Sequence, residues 1–442
     1  MKFNPQVVRS ALVAALGGLL FGFDTVVISG TTEILKRTYV LSEFWLGFTV
    51  ASALLGTIVG AMFGGVIGDK LGRRQGLMLM AGLYFVSALG CAFGWDWNSL
   101  IVFRVIGGLG IGGSSVLGPM YIAEVAPARG RGRLVGLFQF NIVFGILVAY
   151  LSNYLIGLGN FGGAEWRWKL GIAAIPAAIF FALLFGIPQR PRWLVKRGRV
   201  AEAEAVLKSI SGAEYQQELA DIVESIDSEH GLQDEPLFRK KYGLPVFLAI
   251  SIGMFNQLSG INAILYYLND IFARAGFDKV SSDLQAVAIG ATNLLFTAIA
   301  MAVIDRLGRK KLLLIGAVGT AVCLAGVAAI FAAHKHEDLL VWLLVGFIAF
   351  FAFSQGAVIW VYLSEVFPTR VRGKGQSLGS FTHWAMNAAI AWTFPTVAAA
   401  SGATPFAIFA VMMVVQFVVV LMVYPETAGV TLEGMQKKLG IH

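Results

Sequence analysis

An aspartate and an arginine stand inside apolar runs long enough to cross a bilayer. Asp24 lies near the far end of the run 7–28, in the stretch Gly17-Gly18-Leu19-Leu20-Phe21-Gly22-Phe23-Asp24, and no basic neighbour in that run neutralises it. Arg104 is the only basic residue placed in the interior of a run, since Arg9 and Lys169 stand at run ends. A charge at bilayer depth costs on the order of 3 kcal/mol on insertion scales, so such a residue pairs, faces water or takes up a proton. Two lone opposite charges make a pairing hypothesis, and a static bridge between two helices is its plainest form. A second set of candidates is neutral: Gln139 and Asn141; Asn256, Gln257 and Asn262 followed by Tyr266 and Tyr267; Asn293; Gln355, Gly356 and Trp360; His383, Trp384 and Asn387. Amides donate and accept hydrogen bonds, which suits sugar hydroxyls. Indole faces suit the apolar C–H face of a pyranose. Any one amide serves as well for an interhelical bond, worth about 0.6 kcal/mol on average. Their spread over five runs points to a small, neutral, polyhydroxylated ligand. An unperturbed histidine titrates near neutral pH, and His383 satisfied by a neighbouring helix is an equal reading.

The elements that must hold these side chains are membrane helices. Of 442 residues 57% are hydrophobic and only 14% charged, against roughly 25% charged in a soluble domain. Twelve apolar stretches reach the length of about 20 residues that a spanning helix needs, near 7–28, 45–67, 76–95, 99–123, 134–157, 169–187, 244–268, 284–304, 312–333, 339–363, 376–399 and 404–424. The runs are continuous rather than alternating, which excludes barrel strands. With both termini on the cytoplasmic side, the inward segments hold 26 of the 34 basic residues and the outward loops hold seven, Lys169 among them. This bias fixes the orientation, and it accounts for the net charge of +8 without nucleic acid. Trp45, Trp97, Trp166 and Trp342 near the run ends read as interface anchors. Cys91 and Cys323 lie inside runs and act as small apolar residues. The first run is too long for a cleaved signal.

An internal repeat organises the chain. Asp69-Lys70-Leu71-Gly72-Arg73-Arg74 recurs as Asp305-Arg306-Leu307-Gly308-Arg309-Lys310, offset by 236. Glu124-Val125-Ala126-Pro127-Ala128-Arg129-Gly130-Arg131 recurs as Glu365-Val366-Phe367-Pro368-Thr369-Arg370-Val371-Arg372, offset by 241. Two six-helix halves in the same orientation follow, 1–188 and 242–424, with a polar linker at 189–241 and a tail at 425–442. Parallel repeats with a site at their interface form an alternating-access architecture. The linker reads as short amphipathic helices over 199–208 and 214–226. Glycines 60, 64, 65 and 68 thin one face of the second run for a neighbouring helix. Asp69, Arg73, Arg74, Glu124, Arg129 and Arg131, with Asp305, Arg309, Glu365, Arg370 and Arg372, form candidate charge networks at the inner mouth. Charge count alone allows a gate or topology alone, and the repeated acidic partner favours a gate.

Together these motifs make the chain similar to the sugar porter branch of the major facilitator superfamily over nearly its whole length. The carriers are Gly22-Phe23-Asp24, the Gly68–Arg74 turn, Arg104-Val105-Ile106-Gly107-Gly108, Glu124–Gly132, Pro188–Trp193, Gln257–Asn262, Asp305–Lys310 and Pro425–Glu433. The resemblance implies an all-α membrane fold of twelve helices in two pseudo-symmetric six-helix bundles, with cytoplasmic linker helices. An aspartate at position 24 resembles bacterial proton-coupled xylose, galactose or arabinose symporters, whereas facilitative glucose carriers have asparagine there. It implies that Asp24 takes the proton and Arg104 modulates it. It also implies sugar contacts at Gln139, Gln257, Asn262, Asn293, Trp360, Trp384 and Asn387. The chain departs from the family at Asn256, where a glutamine is common, and at Ile146, Ala357 and Gln189-Arg190. The expected partners are a neutral sugar, a proton and the bilayer, for a monomer in a plasma membrane, bacterial inner membrane by its resemblance. Neither a cofactor nor a metal is expected. A sugar uniporter is the nearest rival, and a non-transporting sensor is disfavoured because only eighteen residues follow Tyr424. An exporter of drugs or cations would carry more intramembrane acids. No nucleophile–base set, metal cluster or phosphate loop supports catalysis.

Overall fold

The computed structural model describes residues 4–126, 131–159, 161–211, 215–229, 235–368, 370–430 and 432–439. Every regular element among them is helical. No water satisfies backbone groups inside a bilayer, so a spanning segment must close its hydrogen bonds within itself, as a helix does. Eleven described helical runs are long and apolar enough to cross. They are span 1 (Pro5–Gly30), span 2 (Glu43–Leu71), span 3 (Arg73–Phe93), span 4 (Trp97–Val125), span 5 (Leu134–Gly157), span 6 (Gly162–Gly186), span 7 (Lys240–Tyr266), span 8 (Lys279–Leu307), span 9 (Arg309–Ala333), span 10 (Glu337–Glu365) and span 12 (Thr404–Val423). The stretch expected over 376–399 is the unbroken 29-residue helix Arg372–Ala400, span 11. At about 1.5 Å per residue it is long enough. Gln376, Ser377, Ser380, Thr382, His383 and Asn387 make it too polar to stand among the eleven.

Two spans are interrupted where they carry amides. In span 7 the helix Gly243–Leu258 ends before Gly260, whose φ of 81° restarts the chain as Ile261–Tyr266, followed by Leu268–Arg274. In span 10 the helix Leu340–Phe353 stops at Ser354 (φ −120°, ψ −88°) and resumes as Gln355–Glu365. Irregular backbone at this depth persists only where protein buries it or it lines a cavity. The glycine face of span 2 does bring a helix close. A Cβ on Gly60 would lie 2.3 Å from the Leu109 carbonyl oxygen of span 4, and one on Gly64 3.2 Å from Gly113 Cα. Gly65, expected on the same face, has open space around it.

The described residues cluster into two compact units. One takes residues from 1–24, 56–145 and 170–233 and has Tyr121, Phe138 and Phe180 in its core. It includes the linker helices Pro191–Lys196, Val200–Ser211 and Tyr215–Glu229, close to the stretches expected. Ala203 and Leu207 are buried, while Arg199–Glu202 and Lys208–Glu204 pair on the wet face. The other unit takes residues from 25–55, 146–169 and 234–442 and is cored by Tyr362, Phe367 and Tyr424. Within this second unit the ends of spans 1, 2, 5 and 6 remote from the N-terminus pack on the C-terminal spans. Tyr150 Oη of span 5 donates to the Leu265 carbonyl at 2.8 Å. Phe44 and Phe48 of span 2 flank Trp392 of span 11 at 5.4 and 5.0 Å between ring centres.

Candidate functional site

Asp24 lies half-buried on span 1, and Arg104 is only 4% exposed on span 4. Arg104 is a charge that Asp24 feels, and both charges reach Cys91 of span 3, so the two form one electrostatic neighbourhood. Tyr84 of span 3 belongs to it as well. Its Oη lies 3.2 Å from Ser114 Oγ of span 4, which donates to the Ile111 carbonyl at 3.1 Å. Sequence reasoning missed Tyr84 and Ser114, because one hydroxyl in an apolar run gives little signal.

The neutral candidates converge on spans 7, 10 and 11. Gln257 Nε2 donates to Asn256 Oδ1 at 3.1 Å and lies 3.3 Å from the ring nitrogens of His383. Asn262 Nδ2 donates to Gln257 Oε1 at 3.1 Å, closing a chain across the Gly260 break. Asn256 Nδ2 reaches the Gln355 carbonyl at 3.4 Å, where span 10 restarts. Asn387 Nδ2 donates to Tyr266 Oη at 3.0 Å. His383 stands between two indoles, 5.2 Å from Trp360 and 5.0 Å from Trp384 between ring centres. Trp384 is buried and Trp360 is 37% exposed. Asn387 Oδ1 and Gln355 Oε1 are buried acceptors with no hydrogen-bond partner among the described residues. Acceptors of that kind suit incoming hydroxyl groups. Asn293 is buried on span 8 and Gly356 is half-buried beside the Phe351 ring. Gln139 is half-buried on span 5, in the first unit, while Asn141 donates to its own helix at the Leu137 carbonyl. His383 belongs at the centre of this cluster, although its type alone left it undecided.

The repeated charge motifs build one cluster in each unit. In the first, Arg73 bridges Asp69 at 3.0 Å and Glu124 at 3.5 Å, and Arg190 reaches Glu124 at 3.1 Å. In the second, Arg309 bridges Asp305 at 3.0 Å and grips both oxygens of Glu365 at 2.8 and 3.1 Å. Thr427 Oγ1 donates to Glu365 at 2.6 Å, standing where Arg190 stands in the first half. Gly72 and Gly308, both at positive φ, turn the chain so that a side chain caps the next helix. Gln189 Oε1 accepts from Arg74 N at 3.2 Å, and Glu426 accepts from Arg309 N and Lys310 N at 2.8 and 3.1 Å. Arg74 donates to the Leu184 and Phe185 carbonyls, Arg372 donates to the Phe367 carbonyl, and Arg370 is exposed. Arg129 and the side chain of Arg131 lie outside the described residues.

Two expectations need correction. Trp166 is fully buried rather than an interface anchor, with the Tyr39 ring 6.1 Å away. Lys169, read as a loop charge, is fully buried and bridges Glu165 at 2.7 Å and Asp283 at 3.8 Å. Charge counting places a residue on a side of the membrane but says nothing of its depth at a helix end.

An all-helical chain with apolar spans, interrupted helices and buried polar groups is a polytopic membrane transporter. The family model described as Sugar (and other) transporter matches residues 10–439, and the chain belongs to that family. It is 37% identical to the D-xylose-proton symporter of Escherichia coli strain K12, over 98% of this chain and 96% of the relative. It is 36% identical to the arabinose-proton symporter of Bacillus subtilis, over 98% and 94%. The solved inward open conformation of the E. coli xylose transporter XylE is similar over 98% of this chain and 99% of that one, at 35% identity and a TM-score of 0.87. The fold is that of the major facilitator superfamily.

Proposed function

We propose that this protein carries a neutral monosaccharide, a hexose or pentose, across the membrane together with a proton, by alternating access. One observation carries the reading: a carboxylate within a span, Asp24, shares its surroundings with Arg104 in a chain that matches sugar–proton symporters end to end. The site roles follow as part of the proposal. Asp24 takes the proton, and Arg104 modulates it. Gln139, Asn256, Gln257, Asn262, Tyr266, Asn293, Gly356, Trp360, Trp384 and Asn387 bind the sugar, with amides on its hydroxyls and indoles on its C–H face. The halves 1–188 and 242–424 rock about that site, joined by the linker 189–241 and followed by the tail 425–442. The charge clusters at Glu124 and Glu365 are made and broken at the inner mouth. The basic-residue count sets both termini inside, and each chain acts as a monomer.

The test measures sugar-induced alkalinisation outside cells or vesicles for wild type and Asp24→Asn, with xylose, glucose, galactose, arabinose and inositol. Symport predicts that wild type moves protons with one sugar while the variant only exchanges it. Sugar entry without proton movement, equal in both, would make the protein a uniporter and leave Asp24 a structural residue.

A further inference from the structure

The mechanism above leaves one group of buried charges without a task. Lys169, at the start of span 6, is fully buried. Its Nζ bridges Glu165, one helical turn earlier, at 2.7 Å and Asp283 of span 8 at 3.8 Å, and donates to the Gly30 carbonyl of span 1 at 3.0 Å. Lys279, at the start of span 8, bonds the other Glu165 oxygen, and Asn269, in the helix after span 7, donates to Asp283. Span 5 leaves the room: a Cβ on Gly157 would sit 2.9 Å from Asp283 Oδ2. The network therefore ties spans 1 and 6 of the first half to span 8 and the helix Leu268–Arg274 of the second, on the face the proposed orientation makes outer.

Buried ion pairs rarely stabilise a fold more than apolar residues of the same volume, because desolvation offsets the attraction. What charges offer is tolerance of two environments. When the elements are together, each charge meets its opposite; when they part, water solvates both. Leucines in those positions would be exposed at a cost each time the mouth opened. Charges therefore suit a surface that alternates between dry and wet.

We propose that Lys169, Glu165 and Asp283 form a charge latch that holds the outer mouth shut in the inward-facing state and parts when that mouth opens. The inference rests on alternating access, since a latch needs an open state to oppose. Its test needs neither sugar nor a proton gradient. In a chain with Cys91→Ala and Cys323→Ala, Ala286→Cys is a reporter one turn below Asp283, at a position 1% exposed. A membrane-impermeant maleimide added outside reads how often it opens. Lys169→Met raises the labelling rate at least about tenfold, the effect of moving a two-state equilibrium by a factor of ten. Lys169→Asp and Asp283→Lys each raise it too, and the double reversal brings it back to within about threefold of the parent. Unchanged labelling in Lys169→Met overturns the latch. So does an equal rise at Thr320→Cys, buried in span 9, which reports loosening of the whole fold. A wild type that moved sugar without protons would change none of these rates, so the latch and the symport reading fail separately.

Discussion

Gln257 has its amide engaged at both ends by protein groups: Oε1 accepts from Asn262, while Nε2 lies within reach of Asn256 and His383. A glutamine fixed in this way presents its remaining hydrogen-bonding capacity in one direction, which lowers the ordering cost of binding. His383 is thus a positioning residue for the amide, as well as a ring between two indoles. His383→Ala is expected to raise the KM for the transported sugar about three- to tenfold, matching the 0.5–1.5 kcal/mol of one ordinary hydrogen bond. His383→Gln, which restores a polar partner for the amide, is expected to recover most of that loss. Uptake kinetics over a range of sugar concentrations separate KM from maximal rate, and an unchanged KM in His383→Ala would remove the positioning role. A second residue-scale contrast lies at the charge clusters. Among the described residues Glu124 meets the guanidinium groups of Arg73 and Arg190, whereas Glu365 meets that of Arg309 and the Thr427 hydroxyl. The departure at Gln189-Arg190 has a local account: the arginine supplies the second contact that Thr427 supplies in the other half.

Two predictions belong to the elements. The first concerns how closely spans 2 and 4 approach. Gly60→Ala puts a methyl 2.3 Å from a backbone oxygen that cannot rotate away. Overpacking of this kind costs about 1–3 kcal/mol, so the unfolding midpoint of the purified protein is expected to fall. Gly65→Ala, with nothing within 4 Å, is expected to leave it unchanged and serves as the internal control. The second concerns the cap of span 9. Burial alone raises the Glu426 carboxyl, but backbone N–H groups of Ala428, Arg309, Lys310 and Thr427 outweigh it and hold the group below the ordinary carboxylate range. A depressed folded pKa means that the cap is fully present above about pH 4.3, the unfolded value, and is lost as pH falls through the lower folded value. Hydrogen exchange at the Arg309 and Lys310 amides is expected to stay slow down to about pH 4 and to speed up in Glu426→Ala at neutral pH. Exchange that is equally slow in the variant would refute the cap. These elements also show what the sequence makes legible. Apolar length revealed the spans, and span 11 with them, because its polar residues are spaced along an otherwise apolar run. The repeat exposed Glu124, Glu365 and their arginines, because motifs copied at a fixed offset mark equivalent places. Depth at helix ends left no such trace: Lys169, Trp166 and Asp283 are ordinary types at ordinary loop boundaries, and only packing from other spans buries them.

For the whole molecule, the second compact unit records a state of the transport cycle. The ends of spans 1, 2, 5 and 6 that the proposed orientation makes outer are packed with spans 7, 8 and 11 inside it. Aromatic contacts and a backbone acceptor seal that face: Tyr150 on the Leu265 carbonyl, and Phe44 and Phe48 around Trp392. The tightest point is Gly47, where a Cβ would lie only 1.9 Å from the Trp392 carbonyl oxygen. Neither backbone can yield that distance while the face is closed, so a side chain there must hold spans 2 and 11 apart. Gly47→Val is therefore expected to populate the outward-open state without touching the groups proposed to bind sugar. A ligand's apparent affinity changes only through the fraction of binding-competent protein, so sugar binding to the purified variant should stay within about threefold of wild type or tighten. Net uptake, which requires the mouth to close behind the sugar, should fall below about a tenth of the wild-type rate. Equilibrium binding and vesicle uptake measured on the same preparation decide it. Wild-type uptake in Gly47→Val would mean that the sealed outer face is not an obligatory step. Loss of binding together with uptake would mean that the valine had disturbed the site rather than the mouth.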